Sequence, residues 1–520
     1  MSEGRGARAE SIALAVDGVA ARADVLALVW PALAALAGVA AALPLWAGHF
    51  LPFQDAPQHV ASIRVLADFH TPGFDFPRWF EIDLGRSQYL AFYLPGALLS
   101  KLVGPEAACR ILLTLVALAL PAASWMLLGA FGRDRRLAVL APALFHTAPL
   151  YLGFFNFVES VPATIAVLAL VERELQAPAR RRALLLAACA IALLSVHPSA
   201  LMFALCAAGV LAVSAGLPLR RLARSVLPLA PAVFLVGAWT VRSLLHQPTM
   251  SERPGSYFPP LVIKTYDLVR LGNVLAGHAD ELFMGALALL WLAAALVPGR
   301  PRVERWWRLP LVAAATLAAY YVAPQDFGIA GFIALRALPF FAFFVLVSPS
   351  LAPGKLTSAL LAAAVAVQIA YAGKLVASYR AFDEEAEVSE LHTVLRAAEP
   401  GRRLIAVVWE HQSKVVQFQS YLHFGAYYEV ERGGRSRRNF AEFPWTPIRF
   451  RAGTEPVPLP FGWEYHAGWF DPIQDAADED YVLVRGPAVE EPGGPFVLKT
   501  TAGRWALYER PRSPRPPKGG

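Results

Sequence analysis

The sequence predicts an α-helical polytopic membrane protein with about eleven membrane-spanning helices and a small C-terminal α/β domain outside the membrane. Hydrophobic residues make up 56% of the chain, and charged residues only 17%. Many apolar runs approach the length of about 20 residues that an α-helix needs to cross the hydrocarbon core. After about residue 377 the apolar runs give way to short β-type segments separated by Pro and Gly.

Residues 25–376 are predicted to form the transmembrane module. The apolar runs that define it lie near residues 25–46, 107–131, 137–153, 157–172, 183–196, 199–216, 226–245, 281–298, 309–323, 337–348 and 356–376. Residues 1–24 lack the cationic start, short apolar core and small-residue cleavage site of a signal peptide. We therefore expect residues 25–46 to be an uncleaved first span.

Arginine-rich connections predict the orientation of the chain. They lie at residues 133–136, 173–182, 220–224 and 300–308, with Lys355 in a fifth connection. All five fall on one side if residues 89–103 form a juxtamembrane or re-entrant segment that does not cross. By the positive-inside rule that side is the cytoplasm, so residues 1–24 are cytoplasmic and the C-terminus lies outside. The net charge of +7 is thus explained by orientation, and a nucleic-acid partner is not expected.

Two long loops on the predicted outer side carry polar residues. The first, residues 47–106, places Asp55 and His59 directly after the first apolar run, and the second, residues 246–280, contains Lys264 and Arg270. Ionisable groups at the end of a span are costly to keep there and often mark a functional site. The alternative is an exposed loop, in which polar residues cost little.

Residues 377–510 are predicted to form the outer α/β domain. An acidic amphipathic helix over residues 378–399 precedes β-type runs at residues 403–409, 480–485 and 504–509. Residues 511–520 are expected to be disordered because they are rich in Pro, Gly and charge. The three cysteines, Cys109, Cys189 and Cys206, lie in apolar segments and predict neither a disulfide framework nor a metal site.

Five short motifs, taken in order and by membrane side, resemble the GT-C superfamily of polyprenyl-phosphate-dependent glycosyltransferases. That group includes the aminoarabinose and protein mannosyl transferases and uncharacterised bacterial relatives. The motifs are Gln54-Asp55-Ala56-Pro57-Gln58-His59 after the first span, Gln88-Tyr89-Leu90-Ala91-Phe92-Tyr93, the polar pair Asn156 and Glu159, His197-Pro198, and Arg336-Ala337-Leu338-Pro339.

The resemblance implies transfer of a sugar, with inversion, from a lipid-linked donor to a glycan, lipid or protein acceptor outside the bacterial inner membrane. Membrane lipids are expected partners, and no cofactor is expected. The implied catalytic residues are Asp55 as general base with His59 and Glu159. The implied substrate-binding residues are Asn156, His197, Lys264, Arg270 and Arg336. Ala56 stands where the family commonly has a second acidic residue and no Asp-X-Asp signature is found, so a divalent cation is not indicated.

Each of these residues also has a structural interpretation. Arg336 at the start of an apolar run can reach the lipid headgroups, and His197 before a proline can end a helix. Asn156 can cap the next helix, and His59 can serve only to fix Asp55. The competing functions are a catalytically degenerate membrane scaffold and a lipid or polysaccharide transporter. Transporters typically show paired halves, whereas no repeat is visible in this chain.

Overall fold

The computed structural model describes residues 28–85, 87–245, 255–328, 330–443, 446–460, 462–486 and 491–511. The predictions for residues 1–24, for the part of the second loop at 246–254 and for the tail at 512–520 lie outside these described residues.

The chain is mostly helical. The helices are α1 (Leu28–Trp46), α2 (Ala56–Ala67), α3 (Phe76–Trp79), α4 (Leu90–Val103), α5 (Pro105–Ala130), α6 (Ala148–Tyr151), α7 (Phe155–Gln176), α8 (Arg180–Val196), α9 (Pro198–Ser214), α10 (Leu219–Val226), α11 (Ala230–Leu245), α12 (Leu261–Val269), α13 (Ala279–Leu296), α14 (Arg308–Val322), α15 (Leu338–Val347), α16 (Lys355–Ala386), α17 (Val388–Arg396) and α18 (Tyr427–Arg432).

Six helices of the described chain are long and apolar enough to cross a membrane. They are Leu28–Trp46, Pro105–Ala130, Phe155–Gln176, Leu219–Ser243, Ala279–Leu296 and Lys355–Ala386. Four shorter apolar helices accompany them, at Leu90–Val103, Pro198–Ser214, Arg308–Val322 and Ala334–Val347. Helices of this length and composition indicate membrane association. The count of six is lower than the eleven spans that the apolar runs predict.

The predicted helix at residues 137–153 is wrong as a continuous span. The chain there forms a 3-10 helix, Arg135–Leu144, followed by a single turn, α6. Pro142 lies inside the 3-10 helix and Pro149 at the start of α6, and neither residue can donate the backbone hydrogen bond that a regular helix needs. Apolarity alone does not distinguish this buried, irregular segment from an α-helix.

The segment at residues 89–103 forms α4, which has 14 residues. At 1.5 Å per residue such a helix is roughly 21 Å long, short of the roughly 30 Å hydrocarbon core. It packs against α2 of the first loop and against α5. That the segment does not cross stays a prediction, because the helix Arg308–Val322, which is predicted to cross, has only 15 residues itself.

The C-terminal part of the chain contains a five-stranded mixed sheet. The strands of the protein are β1 (Phe80–Ile82), β2 (Ser256–Tyr257), β3 (Asp326–Phe327), β4 (Arg403–Val408), β5 (Arg435–Ser436), β6 (Ile448–Phe450), β7 (Tyr481–Arg485), β8 (Val497–Ala502) and β9 (Trp505–Glu509). The sheet has the order β5-β4-β7-β9-β8, in which β4 is parallel to both neighbours and the other pairs are antiparallel. The β-type runs predicted at residues 403–409, 480–485 and 504–509 correspond to β4, β7 and β9.

The C-terminal sheet is packed onto the first outer loop. Strand β1 of that loop pairs antiparallel with β6, with Phe80 opposite Phe450. One continuous apolar core contains Phe50 and Val60 from the loop together with Tyr427 and Trp505 from the C-terminal part. That residues 377–510 form an independent domain therefore stays a prediction. A fragment expressed alone to test it would lack these contacts with the first outer loop.

Candidate functional site

Asp55 lies immediately before α2, at a point where the first loop contacts the chain between α6 and α7. The Gln54 backbone N–H donates to the Tyr151 carbonyl at 2.9 Å. Gly153 has φ of +88°, and a Cβ at this position would lie 2.6 Å from the Asp55 Cβ. Because only glycine both adopts this conformation readily and leaves this space, Gly153 permits the close approach that fixes Asp55.

The Asp55 carboxylate contacts the His423 imidazole of the C-terminal part. The distance from His423 Nε2 to Asp55 Oδ1 is 3.2 Å, and the two side chains are only 12% and 17% exposed. His423 precedes the 3-10 turn Phe424–Ala426, where a Cβ on Gly425 would lie 2.6 Å from the Cβ of Ala406 on β4. This close packing of the turn on the sheet positions His423 over the loop. This contact was not predicted, because the two residues are far apart in the chain and His423 belongs to none of the motifs.

His59 is held as a neutral imidazole. Its Nε2 lies 2.7 Å from the Gly153 carbonyl, so this nitrogen carries the proton, and the Tyr93 hydroxyl donates to Nδ1 at 2.9 Å. The ring is 3% exposed and stacks on Phe155 at 4.5 Å between centroids. Burial lowers the pKa of His59 to about 4, although the charge of Asp55 acts in the opposite direction. This geometry agrees with a structural role in which His59 fixes Gly153 and thereby Asp55, and a direct catalytic role stays a prediction.

Asn156, His197 and Arg336 come together at neighbouring helix ends. Arg336 lies within electrostatic range of His197, Tyr89 and Asp326, and its guanidinium carbon lies 5.0 Å from the centre of the Phe154 ring. The His197 ring lies 5.2 Å from that of Tyr89. Tyr89 is one helical turn before Tyr93, which lies within hydrogen-bonding reach of Asn156. Residues of the second, third, fourth and fifth motifs are thus neighbours, and Tyr93 links them to His59.

Three polar atoms of this region have no hydrogen-bond partner among the described residues. They are Asn156 Oδ1, Glu159 Oε2 and Arg336 Nε. Glu159 follows Asn156 by three positions on α7, so both side chains lie on one face of that helix. Buried polar atoms without partners are uncommon in folded proteins and call for a ligand, a water or an ion. Asn156 and Arg336, which are linked through Tyr93 and Tyr89, therefore mark a place where a polar ligand would be stabilised, and Glu159 is connected to them only by its position on α7.

Lys264 and Arg270 have other partners. The Lys264 ammonium donates to the carbonyls of Tyr320, Tyr321 and Ala323 at 2.9, 3.0 and 2.6 Å, so it caps the C-terminal end of α14. Arg270 donates to the Tyr266 hydroxyl and, at 2.7 Å, to Gln417 Oε1. Both cations thus hold the second loop in place. Their contact with a substrate stays a prediction.

A small polar recess of about 20 Å³ lies between α2 and the C-terminal sheet, and it is lined by the Asp55 partner His423. Its polar lining consists of Gln58, His423, Arg437, Arg438 and Glu464. The Gln58 side chain spans the cleft edge, donating to the Arg438 carbonyl at 2.5 Å and accepting from the Phe440 backbone N–H at 3.2 Å. The Asp55 carboxylate thus lies next to a polar recess to which the first loop and the C-terminal part both contribute.

Tyr465 connects this cleft to the Asp55 loop. Its hydroxyl accepts from Gln54 Nε2 at 3.4 Å. Burial, assisted by the negative charge of Asp55, raises the pKa of Tyr465 to about 12. Tyr465 therefore stays protonated at neutral pH and offers a neutral hydroxyl beside the carboxylate.

Within the described part of the chain, no group of three or more His, Cys, Asp or Glu residues is arranged to hold a metal ion. The side chains that the structure offers for chemistry are Asp55 with His423, and the predicted residues Asn156, Glu159, His197 and Arg336. No protein-family model matches the chain, and no curated protein matches it.

Proposed function

We propose that the protein is a membrane glycosyltransferase of the GT-C type. It would transfer a sugar, with inversion, from a polyprenyl-phosphate-linked donor to an acceptor outside the cytoplasm, with Asp55 as general base. The observation that carries this proposal is the Asp55–His423 pair, at 3.2 Å, in a polar cleft next to the ends of long apolar helices. A largely buried carboxylate fixed by two distant parts of the chain is costly unless it serves the reaction.

Asp55 is suited to take a proton from an acceptor hydroxyl. His423 contacts Oδ1 and orients the carboxylate, so Oδ2 is the oxygen that would accept the proton as the hydroxyl attacks the anomeric carbon. A positioned general base of this kind typically contributes about a hundredfold to ten-thousandfold in rate. Gly153 and His59 would act as positioning residues, because they hold the backbone on which Asp55 stands.

The helix-end cluster of Asn156, Glu159, His197 and Arg336 is suited to bind the donor. Negative charge develops on the lipid phosphate as it leaves, and a fixed guanidinium in a water-poor place stabilises that charge. Arg336 has a buried Nε without a partner among the described residues, whereas Lys264 and Arg270 are engaged elsewhere. The donor phosphate is therefore assigned to Arg336, with Asn156 and Glu159 near the sugar hydroxyls.

The proposal includes an orientation with the N-terminus in the cytoplasm, the C-terminal sheet outside, and about eleven crossings of the bacterial inner membrane. Residues 135–154 would make one of these crossings without an α-helix. At one end Arg136 hydrogen-bonds Ser358 and Ala352, and at the other Gly153 touches Asp55. Nearly all side chains of the 3-10 helix between them are buried, and irregular backbone is tolerated at membrane depth when protein surrounds it.

The test is transfer from polyprenyl-phosphate-linked hexose and pentose donors by the purified protein and its Asp55→Asn variant. Asparagine keeps the size of the side chain but removes its charge and basicity, so transfer is expected to fall by roughly a hundredfold or more. Asp83→Asn is the matched control, because Asp83 lies on the same loop with its side chain 38% exposed. An Asp55→Asn protein that transfers at the normal rate refutes the mechanism. A wild-type protein that transfers from no such donor would favour the degenerate scaffold instead.

A further inference from the structure

The carboxyl end of β4 is a topological switch point of the C-terminal sheet. Strand β4 lies between β5 and β7 and is parallel to both. The chain leaves β4, passes through α18 and returns as β5 on one side, while β7 occupies the other side. In open sheets of this kind, ligands bind in the crevice outside the carboxyl ends of the strands, at the point where the strand order reverses. The topology therefore indicates a ligand site beyond Val408.

Two exposed tryptophans lie at this end of β4. Trp409 directly follows the strand and is 41% exposed, and Trp469 is 54% exposed. His466 stacks on Trp469 at 4.1 Å between ring centroids, and a Cβ on Gly468 would lie 3.9 Å from the Trp409 ring. The turn of residues 466–469 thus carries aromatic faces on both sides. Aromatic rings with a polar handle, collected at one exposed place, are typical of binding surfaces.

The cleft along the edge of β4 is lined by Ala406 and Val408, and it contains two polar atoms without partners among the described residues. Glu464 Oε2 and Arg437 Nε have none among the described residues, and Arg437 is 7% exposed. Both residues line the cleft, as does Gln58. A carboxylate and a guanidinium of opposite charge, with an amide nearby, match a neutral ligand that offers several hydroxyl groups. The C–H faces of a sugar ring also pack on aromatic rings such as those of Trp409 and Trp469.

We propose that Trp409, His466 and Trp469, together with the cleft formed by Gln58, Arg437 and Glu464, bind a saccharide that serves as acceptor. This inference rests on the proposed function, because Gln54 and Tyr465 join the cleft to the Asp55 loop. The acceptor would stack its inner rings on the two tryptophans and direct its terminal hydroxyl toward Asp55. The role of the C-terminal sheet is then to select the acceptor, while the helix-end cluster of Asn156, Glu159, His197 and Arg336 binds the donor.

The experiment measures binding of neutral tetrasaccharides built from glucose, mannose or N-acetylglucosamine to the full-length protein in lipid nanodiscs, by saturation-transfer difference NMR. At least one tetrasaccharide is expected to bind, and Trp469→Ala and Trp409→Ala are expected to weaken that binding tenfold or more. Trp306→Ala is the matched control, since Trp306 is 60% exposed on a turn before α14 and should leave binding unchanged. Absence of binding by all three tetrasaccharides, or equal loss in the control, overturns the proposal.

A second measurement separates the saccharide from the membrane as the occupant. If the tryptophans contact lipid instead, brominated phosphatidylcholine will quench the tryptophan fluorescence of the wild type, and Trp469→Ala will lose the quenched component. That result refutes the proposal. The saccharide subsite and the proposed glycosyltransferase function can be refuted separately. Tetrasaccharide binding combined with normal transfer by Asp55→Asn would refute the base but keep the subsite. Lost transfer in Asp55→Asn without tetrasaccharide binding would refute the subsite but keep the base.

Discussion

Acidification is expected to destabilise the protein through His59. This ring is neutral in the fold because its Nδ1 accepts from Tyr93 while Nε2–H donates to Gly153, and its surroundings are apolar. Its pKa falls from an ordinary value of 6.5 to about 4. Between these two values the unfolded chain binds a proton that the folded chain does not. Stability therefore rises with pH through this window and is lost as the pH falls from about 6.5 toward 4.

The size of the effect follows from the pKa difference. Each pKa unit corresponds to about 1.36 kcal/mol, so the full shift of His59 is worth roughly 3 kcal/mol. Most of the loss, roughly 2 kcal/mol, is expected between pH 7 and pH 5. In a chain of 520 residues that corresponds to a fall in the melting temperature of roughly 2 °C.

The assay compares thermal unfolding at pH 7, 6 and 5 for the wild type, His59→Gln and His70→Gln. Glutamine cannot take up a proton in this range, so His59→Gln should lower stability at pH 7 and reduce the dependence on pH. His70 is an exposed histidine of the same loop, and its variant should keep the wild-type dependence. The reasoning is refuted if His59→Gln and the wild type lose the same stability on acidification.

Two further predictions concern the structural role of Lys264 and the membrane orientation of the chain. Lys264→Met removes the donor to three carbonyls at the end of α14 and should cost roughly 2–4 kcal/mol in the free energy of unfolding. The folded fraction of this variant should still transfer sugar normally, and lost transfer without lost stability would instead assign Lys264 to the substrate. In a cysteine-free protein, Ile473→Cys should react with an impermeant maleimide added outside the cell, while Glu304→Cys should react only after permeabilisation. Both side chains are largely exposed, so reaction of both from the same side would refute the proposed orientation.

The helical character of the chain is predictable because long apolar runs have few other folds available in a membrane. Prediction is poorer where proline interrupts such a run, as at Pro142 and Pro149, since burial by neighbouring helices allows the irregular backbone to persist. The number of crossing helices is the least predictable feature. It depends on how short apolar helices such as α4 pack, and composition does not report packing.

The candidate site was predictable in its loop residues but not in its C-terminal ones. Asp55 stands out because a carboxylate directly follows an apolar run, and Asn156, His197 and Arg336 stand out for similar reasons. His423 and Tyr465 lie among other polar and aromatic residues in a segment of ordinary composition. His423 becomes part of the site because Gly425 lets its turn pack against β4, and Tyr465 does so through its hydrogen bond with Gln54. Tertiary contacts between distant segments leave no local pattern in a sequence.

Because β1 pairs with β6, this part of the fold can form only late in the synthesis of the chain. Phe80 is synthesised early and Phe450 very late, with most of the helices made between them. A pair of three-residue strands has little stability by itself, so the first loop has no lasting partner while the bundle is being inserted. Asp55 likewise meets His423 only after nearly the whole polypeptide has been delivered to one side. If Asp55 and His423 form the proposed catalytic pair, the nascent chain lacks that pair until its C-terminal part has been synthesised, and a chain truncated before His423 would have the helices without the pair.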